Sequence, residues 1–395
     1  MPLESVRRAM AQQLEQRAAQ QRKRNLQVVV PLSSREIAVA GNRYLNFSSN
    51  DYLGLSQHPK VLGSYAASRS VGARASTLVT GYSHAHANLC GVLAEVLERP
   101  RVLLFSSAFA ANVGALATLG PLYSELYLDR LAHASLLQGA LQGARQTGHR
   151  WRRFQHNDLC SAQKWAAAAH NDSCLVVSES IFSMDGDALP QDALAALLSH
   201  VKNADVMIDD AHGFGVCGSD GRGVAEQFSV AEVGLLSLAF GKACGVAGGA
   251  IATDEWSADY LINFCPELIY STAMPPAQAA AIQAAVEIIT SVEGQHLREK
   301  LAANVAYFHE LCRSAQLPVA TSEHAIQTLQ VGADATALQL SETLRSAGIW
   351  CSAIRPPTVP ENTARLRITL TAAHNDDDIR QLVAALAAGF EDVNL

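Results

Sequence analysis

The sequence predicts an α/β fold: a mostly parallel central sheet in a large domain, followed by a smaller C-terminal α+β domain. Three observations carry this. Short apolar runs alternate with helical stretches through the middle of the chain, and beyond about residue 295 that order gives way to mixed strands and helices. The 395 residues are 49% hydrophobic and only 17% charged, enough apolar side chains for more than one core and too few charges for a disordered chain.

The apolar runs lie at 101–105, 125–129, 174–179, 205–209, 235–240 and 247–253, with helical stretches at 110–119, 135–142, 161–170 and 192–202. Continuous apolar strands interleaved with helices are what a parallel sheet covered on both faces requires. The large domain is therefore 50–292, closed by an Ala-rich helix at 275–292 that Pro275-Pro276 starts. The C-terminal domain, 293–395, reads as helix 296–315, strand 327–331, helix 335–347, strands 350–354 and 364–369, and helix 376–389. Residues 1–49 are an N-terminal helix and arm, in which Val6, Met10, Leu14 and Ala18 recur every four residues and predict an amphipathic helix over 4–24.

Composition narrows the partners. Thirty Lys and Arg against 37 Asp and Glu give a net charge of −7, which opposes a nucleic-acid footprint. The eight cysteines form no CxxC pair and no Cys/His ladder, so neither a metal site nor a disulfide framework is expected, and reduced thiols fit a cytoplasmic protein. No apolar stretch reaches the roughly 18 residues of a membrane span. The N-terminus lacks the apolar run of a signal peptide, and its acidic residues argue against a transit peptide.

In open parallel sheets ligands bind past the carboxyl ends of the strands. The residues there are Asp129 to Ser135, Glu179 to Asp187, Asp209-Asp210-Ala211-His212-Gly213 and Phe240-Gly241-Lys242. Taken singly, each has a plainer reading: a solvated lysine, a His133 that caps a helix, an Asp209 that accepts loop amides. Jointly they gather carboxylates, imidazoles, a hydroxyl and an amine on one edge. Lys242 also sits among glycines in an apolar stretch, where burial disfavours its charged form and suits it to Schiff-base chemistry. Pyridoxal 5'-phosphate explains the set: a lysine to bind the aldehyde, Asp209 for the pyridine nitrogen, and the strand-to-helix stretch Ser106 to Asn112 for the phosphate.

Five segments then carry a family resemblance over about residues 22–390. They are Asn46-Phe47-Ser48-Ser49-Asn50-Asp51-Tyr52-Leu53-Gly54-Leu55, Asp209-Asp210-Ala211-His212-Gly213, Phe240-Gly241-Lys242, Tyr270-Ser271-Thr272 before Pro275-Pro276, and Ala353-Ile354-Arg355-Pro356-Pro357-Thr358-Val359-Pro360 leading to Ala364-Arg365-Leu366-Arg367. The chain resembles the α-oxoamine synthases, acyltransferases of the fold-type I, class II pyridoxal-phosphate-dependent aminotransferase family. The last segment is similar to the branch that makes 8-amino-7-oxononanoate for biotin. The resemblance implies a homodimer with a shared active site that condenses L-alanine with pimeloyl-CoA or pimeloyl-acyl carrier protein, with loss of CO2.

It also implies roles for residues. Lys242 matches the Schiff-base lysine, Asp209 the pyridinium partner, His212 the bond to the cofactor's phenolic oxygen, and His133 the imidazole stacked on its ring. Glu179 and Ser183 match positions lining the cofactor, Ala108 and Phe109 the phosphate loop, and Thr272 a phosphate contact from the other subunit. Arg22, Asn50, His133 and Thr358 match substrate positions, and Arg367 the arginine that holds the amino-acid carboxylate. Arg22, beside Lys23 and Arg24, has a second reading as a solvated charge. Two departures stand out: Ala239 where the family usually has a phosphate-binding Thr, and Ala108 where it usually has Gly. The lost hydroxyl costs about 1–3 kcal/mol of phosphate affinity. A glycine-using relative such as a 2-amino-3-ketobutyrate CoA ligase shares nearly all these residues. An aldolase has no need of a thioester site, and a non-catalytic scaffold subunit typically lacks the lysine.

Overall fold

A computed structural model describes residues 2–148, 150–169, 173–320 and 322–392. They divide into two compact units, 50–301 and 1–49 with 302–395.

In the unit 50–301, seven strands run in the order Arg101–Phe105, Gly249–Thr253, Leu235–Ala239, Ala204–Asp209, Cys174–Glu179, Glu125–Asp129 and Arg150–Phe154. Only Gly249–Thr253 is antiparallel to its neighbours, so the sheet is mostly parallel. The central strands are wholly buried, which is why they read as continuous apolar runs. The register brings Glu179 opposite Asp209, and Asp209 opposite Ser237, at the carboxyl ends.

Helix Ala108–Leu119 is apolar on nearly all sides, and its residues from Ala111 to Ala117 are buried. Helix Ala134–Thr147 packs against it through Gly139, where a Cβ would lie 2.9 Å from the Leu116 side chain and 3.0 Å from the Asn112 carbonyl. That close approach puts Asn112 beside Ser135. Helices Leu159–Ala168, Gln191–His200 and Pro276–Ile289 correspond to the remaining expected ones; residue 170, the expected end of the first of these, lies outside the described residues.

The sequence reading missed strand Arg150–Phe154. It is an edge strand of the sequence Arg-Trp-Arg-Arg-Phe, mostly exposed, and it lacks the apolar run that marks its buried neighbours.

The second unit joins what was expected as two separate pieces. Strands Val29–Pro31, Glu36–Val39 and Asn42–Asn46 form a meander, and Ile349–Trp350 adds to it in parallel. The single strand expected at 350–354 is broken at Cys351: Ile349–Trp350 pairs with the N-terminal arm, while Ser352–Ile354 pairs with Ala364–Thr369, which pairs in turn with Ile326–Gly332. Helices Asp334–Ser346 and Asp376–Asp392 pack together, burying Leu340, Leu344, Leu382 and Leu386.

The N-terminal helix runs from Pro2 to Ala19, short of the expected residue 24, because Gln21 takes a positive φ of 55°. Its Val6, Met10 and Leu14 are exposed. No described helix is long and apolar enough to cross a membrane.

Candidate active site

Asp209 is the last residue of its strand and is buried at 4% exposure. Its carboxylate accepts the Asn112 amide at 2.6 Å and the Ala211 backbone N–H at 3.0 Å. The acceptance of a loop amide, the plainer reading of this residue, is thus correct and compatible with a site role. Asn112 Nδ2 also donates to Ser135 Oγ at 2.9 Å, while Asn112 Oδ1 is buried without a partner among the described residues. Buried carbonyl oxygens rarely stay unpaired, so an uncommitted acceptor here is notable.

Ser135 connects this pair to His133, whose Nδ1 lies 2.7 Å from Ser135 Oγ. The Ser135 backbone N–H also points to Nδ1 at 3.3 Å, so His133 does cap helix Ala134–Thr147. An Nδ1 that accepts a hydrogen bond leaves the proton of a neutral imidazole on Nε2. Partial loss of hydration holds the His133 pKa below the usual imidazole value, Lys242 adding to the effect and Asp209 opposing it. Backbone N–H of His133 donates to Glu179 Oε1 at 2.5 Å. Glu179 is buried, and that burial together with the nearby Asp209 raises its pKa well above the ordinary carboxylate range.

Lys242 lies in the turn past strand Leu235–Ala239, closed by Gly245 N–H to the Lys242 carbonyl at 2.8 Å. Gly245 has a φ of +65°, and a Cβ there would come within 2.2 Å of Ser56 N, so only glycine permits this turn. His212 is buried and its Nδ1 lies 2.6 Å from the Tyr52 hydroxyl, which reaches Asn50 Oδ1 at 3.4 Å.

Ala108 and Phe109 open helix Ala108–Leu119, whose N-cap Ser107 accepts the Ala110 N–H at 3.1 Å. Ala108 and Phe109 supply the first backbone N–H groups of this helix, which have no acceptor within the helix and so suit an anion. Gly249 makes room for the turn: a Cβ there would lie 2.3 Å from Ala108 N. The Phe109 ring sits 6.2 Å from that of His133, edge to face.

A single pocket collects Ala108, Phe109, Asn112, His133, Glu179, Asp209, His212 and Lys242. Other expected residues lie elsewhere. Ser183 occupies the turn past strand Cys174–Glu179 and does not line this pocket. Thr272 is exposed and bridges to Ser76. Arg22, Thr358 and Arg367 belong to the other unit. There Arg22 is held by Glu361, at 2.7 and 2.9 Å, and by Asp334 at 2.8 Å, so it is a paired group and not merely a solvated charge. Thr358 Oγ1 accepts from Arg24 at 3.2 Å, and the buried Arg367 donates to Thr369 Oγ1 at 3.0 Å.

Asn112, Ser135 and Tyr52 were not singled out from the sequence. Asn112 carried one signal, a lone amide inside an otherwise apolar buried helix.

Pyridoxal phosphate can be tested against this pocket. It needs an amine, an acid for its ring nitrogen, an anion seat and unsatisfied polar partners. Lys242, the held Asp209 carboxylate, the Ala108 and Phe109 amides over Gly249, and the orphaned Asn112 Oδ1 supply each of these, so the residues fit.

Residues 42–386 match the family described as aminotransferase class I and II. The chain is 48% identical over 375 residues to the 8-amino-7-oxononanoate synthase of Klebsiella pneumoniae subsp. pneumoniae, covering 94% of this chain and 96% of that one. The Salmonella newport enzyme of the same name is 45% identical over 365 residues, 91% and 92% of the two chains. Among solved structures, 8-amino-7-oxononanoate synthase of Francisella tularensis superposes with a TM-score of 0.74 at 26% identity over 89% of this chain and 99% of that one. A serine palmitoyltransferase variant of S. paucimobilis with a bound PLP–myriocin aldimine shares the fold, with a TM-score of 0.88 at 23% identity and 98% coverage of both. Likeness of this degree, sustained over almost the whole length of both chains, places the protein: it belongs to the 8-amino-7-oxononanoate synthases, within the pyridoxal-phosphate-dependent class I and II aminotransferase family.

Proposed function

We propose that the protein condenses L-alanine with a pimeloyl thioester, releasing CO2 and the free thiol and giving 8-amino-7-oxononanoate for biotin synthesis. The observation that carries this is the convergence of Lys242, Asp209 and His133 in one pocket of a chain 48% identical to an enzyme of that name. In this reading pyridoxal phosphate is bound at Lys242 and supplies the electron sink for the pair left at Cα of alanine.

The chain's own groups do the rest. Lys242 Nζ takes the proton from Cα and returns it to the product. The Asp209 carboxylate, aimed by Asn112 and Ala211, would hold the proton of the cofactor's ring nitrogen. His133, kept neutral by lost hydration, presents Nε2–H to the acyl carbonyl as negative charge develops there. Glu179 fixes the His133 backbone. His212, braced by Tyr52, would hold the cofactor's phenolic oxygen. Arg367 holds the alanine carboxylate in a two-pronged geometry that lysine cannot reproduce. Arg22 and Thr358 would contact the acyl substrate, Asn50 would lie near the substrates, and Thr272 would reach the phosphate held by the partner subunit in a cytoplasmic homodimer; Ser183, outside the pocket's lining, is assigned no contact role.

Purified protein supplied with alanine or glycine, each against pimeloyl-CoA, pimeloyl-acyl carrier protein, acetyl-CoA and succinyl-CoA, tests the reading. Turnover with alanine and a pimeloyl donor is expected. Preference for glycine with a short acyl-CoA would make the protein a glycine-using synthase instead.

A further inference from the structure

The loop that carries His133 is tied from behind by a second imidazole. Asp129 ends strand Glu125–Asp129 with its side chain sealed from solvent. Its carboxylate accepts the backbone N–H groups of Leu131 and Asn157, each at 2.7 Å, and lies 3.1 Å from His156 Nδ1. His156 follows the edge strand Arg150–Phe154, and its other nitrogen, Nε2, is 2.6 Å from Asp187 Oδ2. Asn157 Nδ2 donates to the same Asp187 oxygen at 2.8 Å. The Phe182 ring meets His156 edge to face at 4.4 Å, and Phe182 N–H donates to the Asp187 carbonyl at 2.9 Å. One side chain thus ties together the end of strand Glu125–Asp129 and the loops that follow its two neighbours, Arg150–Phe154 and Cys174–Glu179.

A neutral imidazole has one ring proton and can donate to one carboxylate only. With a carboxylate oxygen at each nitrogen, the arrangement calls for the imidazolium. Among the described residues, Asp129 and Asp187 are the carboxylates hydrogen-bonded to the ring. Burial opposes the charge, but the two carboxylates overcome it and push the His156 pKa up to about 10.

We propose that His156, as an imidazolium bridging Asp129 and Asp187, is a positioning residue: it fixes the strand-end loop from which His133 enters the active site. The bridge stands on geometry alone, and the link to catalysis rests on the role given to His133 above. His133 is four residues past Asp129, anchored at one end by Glu179 and at the other by this bridge. A reacting group displaced by about 1 Å costs on the order of 100-fold in rate, so the bridge acts on the catalytic step and not on substrate affinity.

Two measurements test it. In the full chain labelled with 15N-histidine, with the His156 signals assigned by their loss in His156→Gln, both ring nitrogens remain protonated at pH 8, and the charge is lost only near pH 10. In Asp187→Asn that midpoint falls by about one unit or more. A His156 ring that is neutral at pH 8 overturns the proposal. In the holoenzyme, with whichever amino acid and thioester the wild type uses, His156→Gln lowers kcat about tenfold or more while the amino-acid KM changes less than about twofold. Asp187→Asn, which removes one carboxylate and keeps the ring, moves kcat in the same direction and serves if His156→Gln does not fold. Unchanged kcat in Asp187→Asn, with its His156 midpoint lowered, overturns the positioning role. Absence of wild-type turnover with every substrate pair contradicts the proposed function and leaves the NMR result standing.

Discussion

Asn112 donates its side-chain amide to Asp209 at 2.6 Å and, through the same nitrogen, to Ser135 at 2.9 Å, so one residue of a buried helix aims the carboxylate and steadies the cap behind His133. Replacing it with Ala removes a hydrogen bond to a buried charged group and one to a hydroxyl. The loss is about 1.5–3 kcal/mol. Urea unfolding of Asn112→Ala is expected to show that loss, and cofactor titration a weaker binding of pyridoxal phosphate. Wild-type values in both would deny Asn112 this role.

The first turn of helix Ala108–Leu119 is seated on Gly249. Because a Cβ there would lie 2.3 Å from Ala108 N and 2.5 Å from Ala108 Cα, Gly249→Ala must push the turn outward. Overpacking of this kind costs about 1–3 kcal/mol. Lower thermal stability and weaker cofactor binding are expected together, whereas Gly72→Ala, with nothing within 4 Å of its Cβ, should change neither. Equal behaviour of the two variants would contradict the close contact.

Asp210 offers a test by pH. It is fully buried, and that burial raises its pKa to about 7, against the hydrogen bond it accepts from Val224 N–H at 2.9 Å. The folded value lies above the unfolded one of about 3.9. Its contribution to stability is therefore complete below about pH 4 and is lost as pH rises through about 7. Asp210→Asn stays neutral throughout, so its melting temperature relative to wild type should climb between pH 4 and 7 and then level off. Parallel curves across that range would show that Asp210 titrates normally.

In the proposed reaction Arg367 holds the amino-acid carboxylate. Loss of a charge-assisted bond of that kind costs about 1.5–3 kcal/mol, or about 10- to 100-fold in affinity. Steady-state kinetics of Arg367→Ala should show the alanine KM raised by that factor, with the thioester KM within about threefold. A larger effect on the thioester would move Arg367 to the acyl side of the reaction.

The sequence disclosed the parts of this molecule whose physics is periodic or local. Buried parallel strands are continuous apolar runs, so the apolar pattern alone locates their ends, and with them Glu179, Asp209 and Lys242. Strand Arg150–Phe154 escaped because an edge strand need not be apolar, and His156 escaped with it. Asn112 and Tyr52 act through partners 97 and 160 residues away, a relation that no local pattern encodes. The break at Cys351 was hidden for a similar reason: a run read as one strand serves two sheets because its pairing partners lie at Asn42–Asn46 and Ala364–Thr369.

The proposed decarboxylative condensation depends on Lys242, and carboxyl-labelled L-alanine tests that dependence most directly. Wild-type protein loaded with pyridoxal phosphate should release labelled CO2 only when a pimeloyl thioester is present, in equal amount to free thiol, and Lys242→Ala should release none. Labelled CO2 from Lys242→Ala at the wild-type rate, or none from wild type with any pimeloyl donor, would contradict the account.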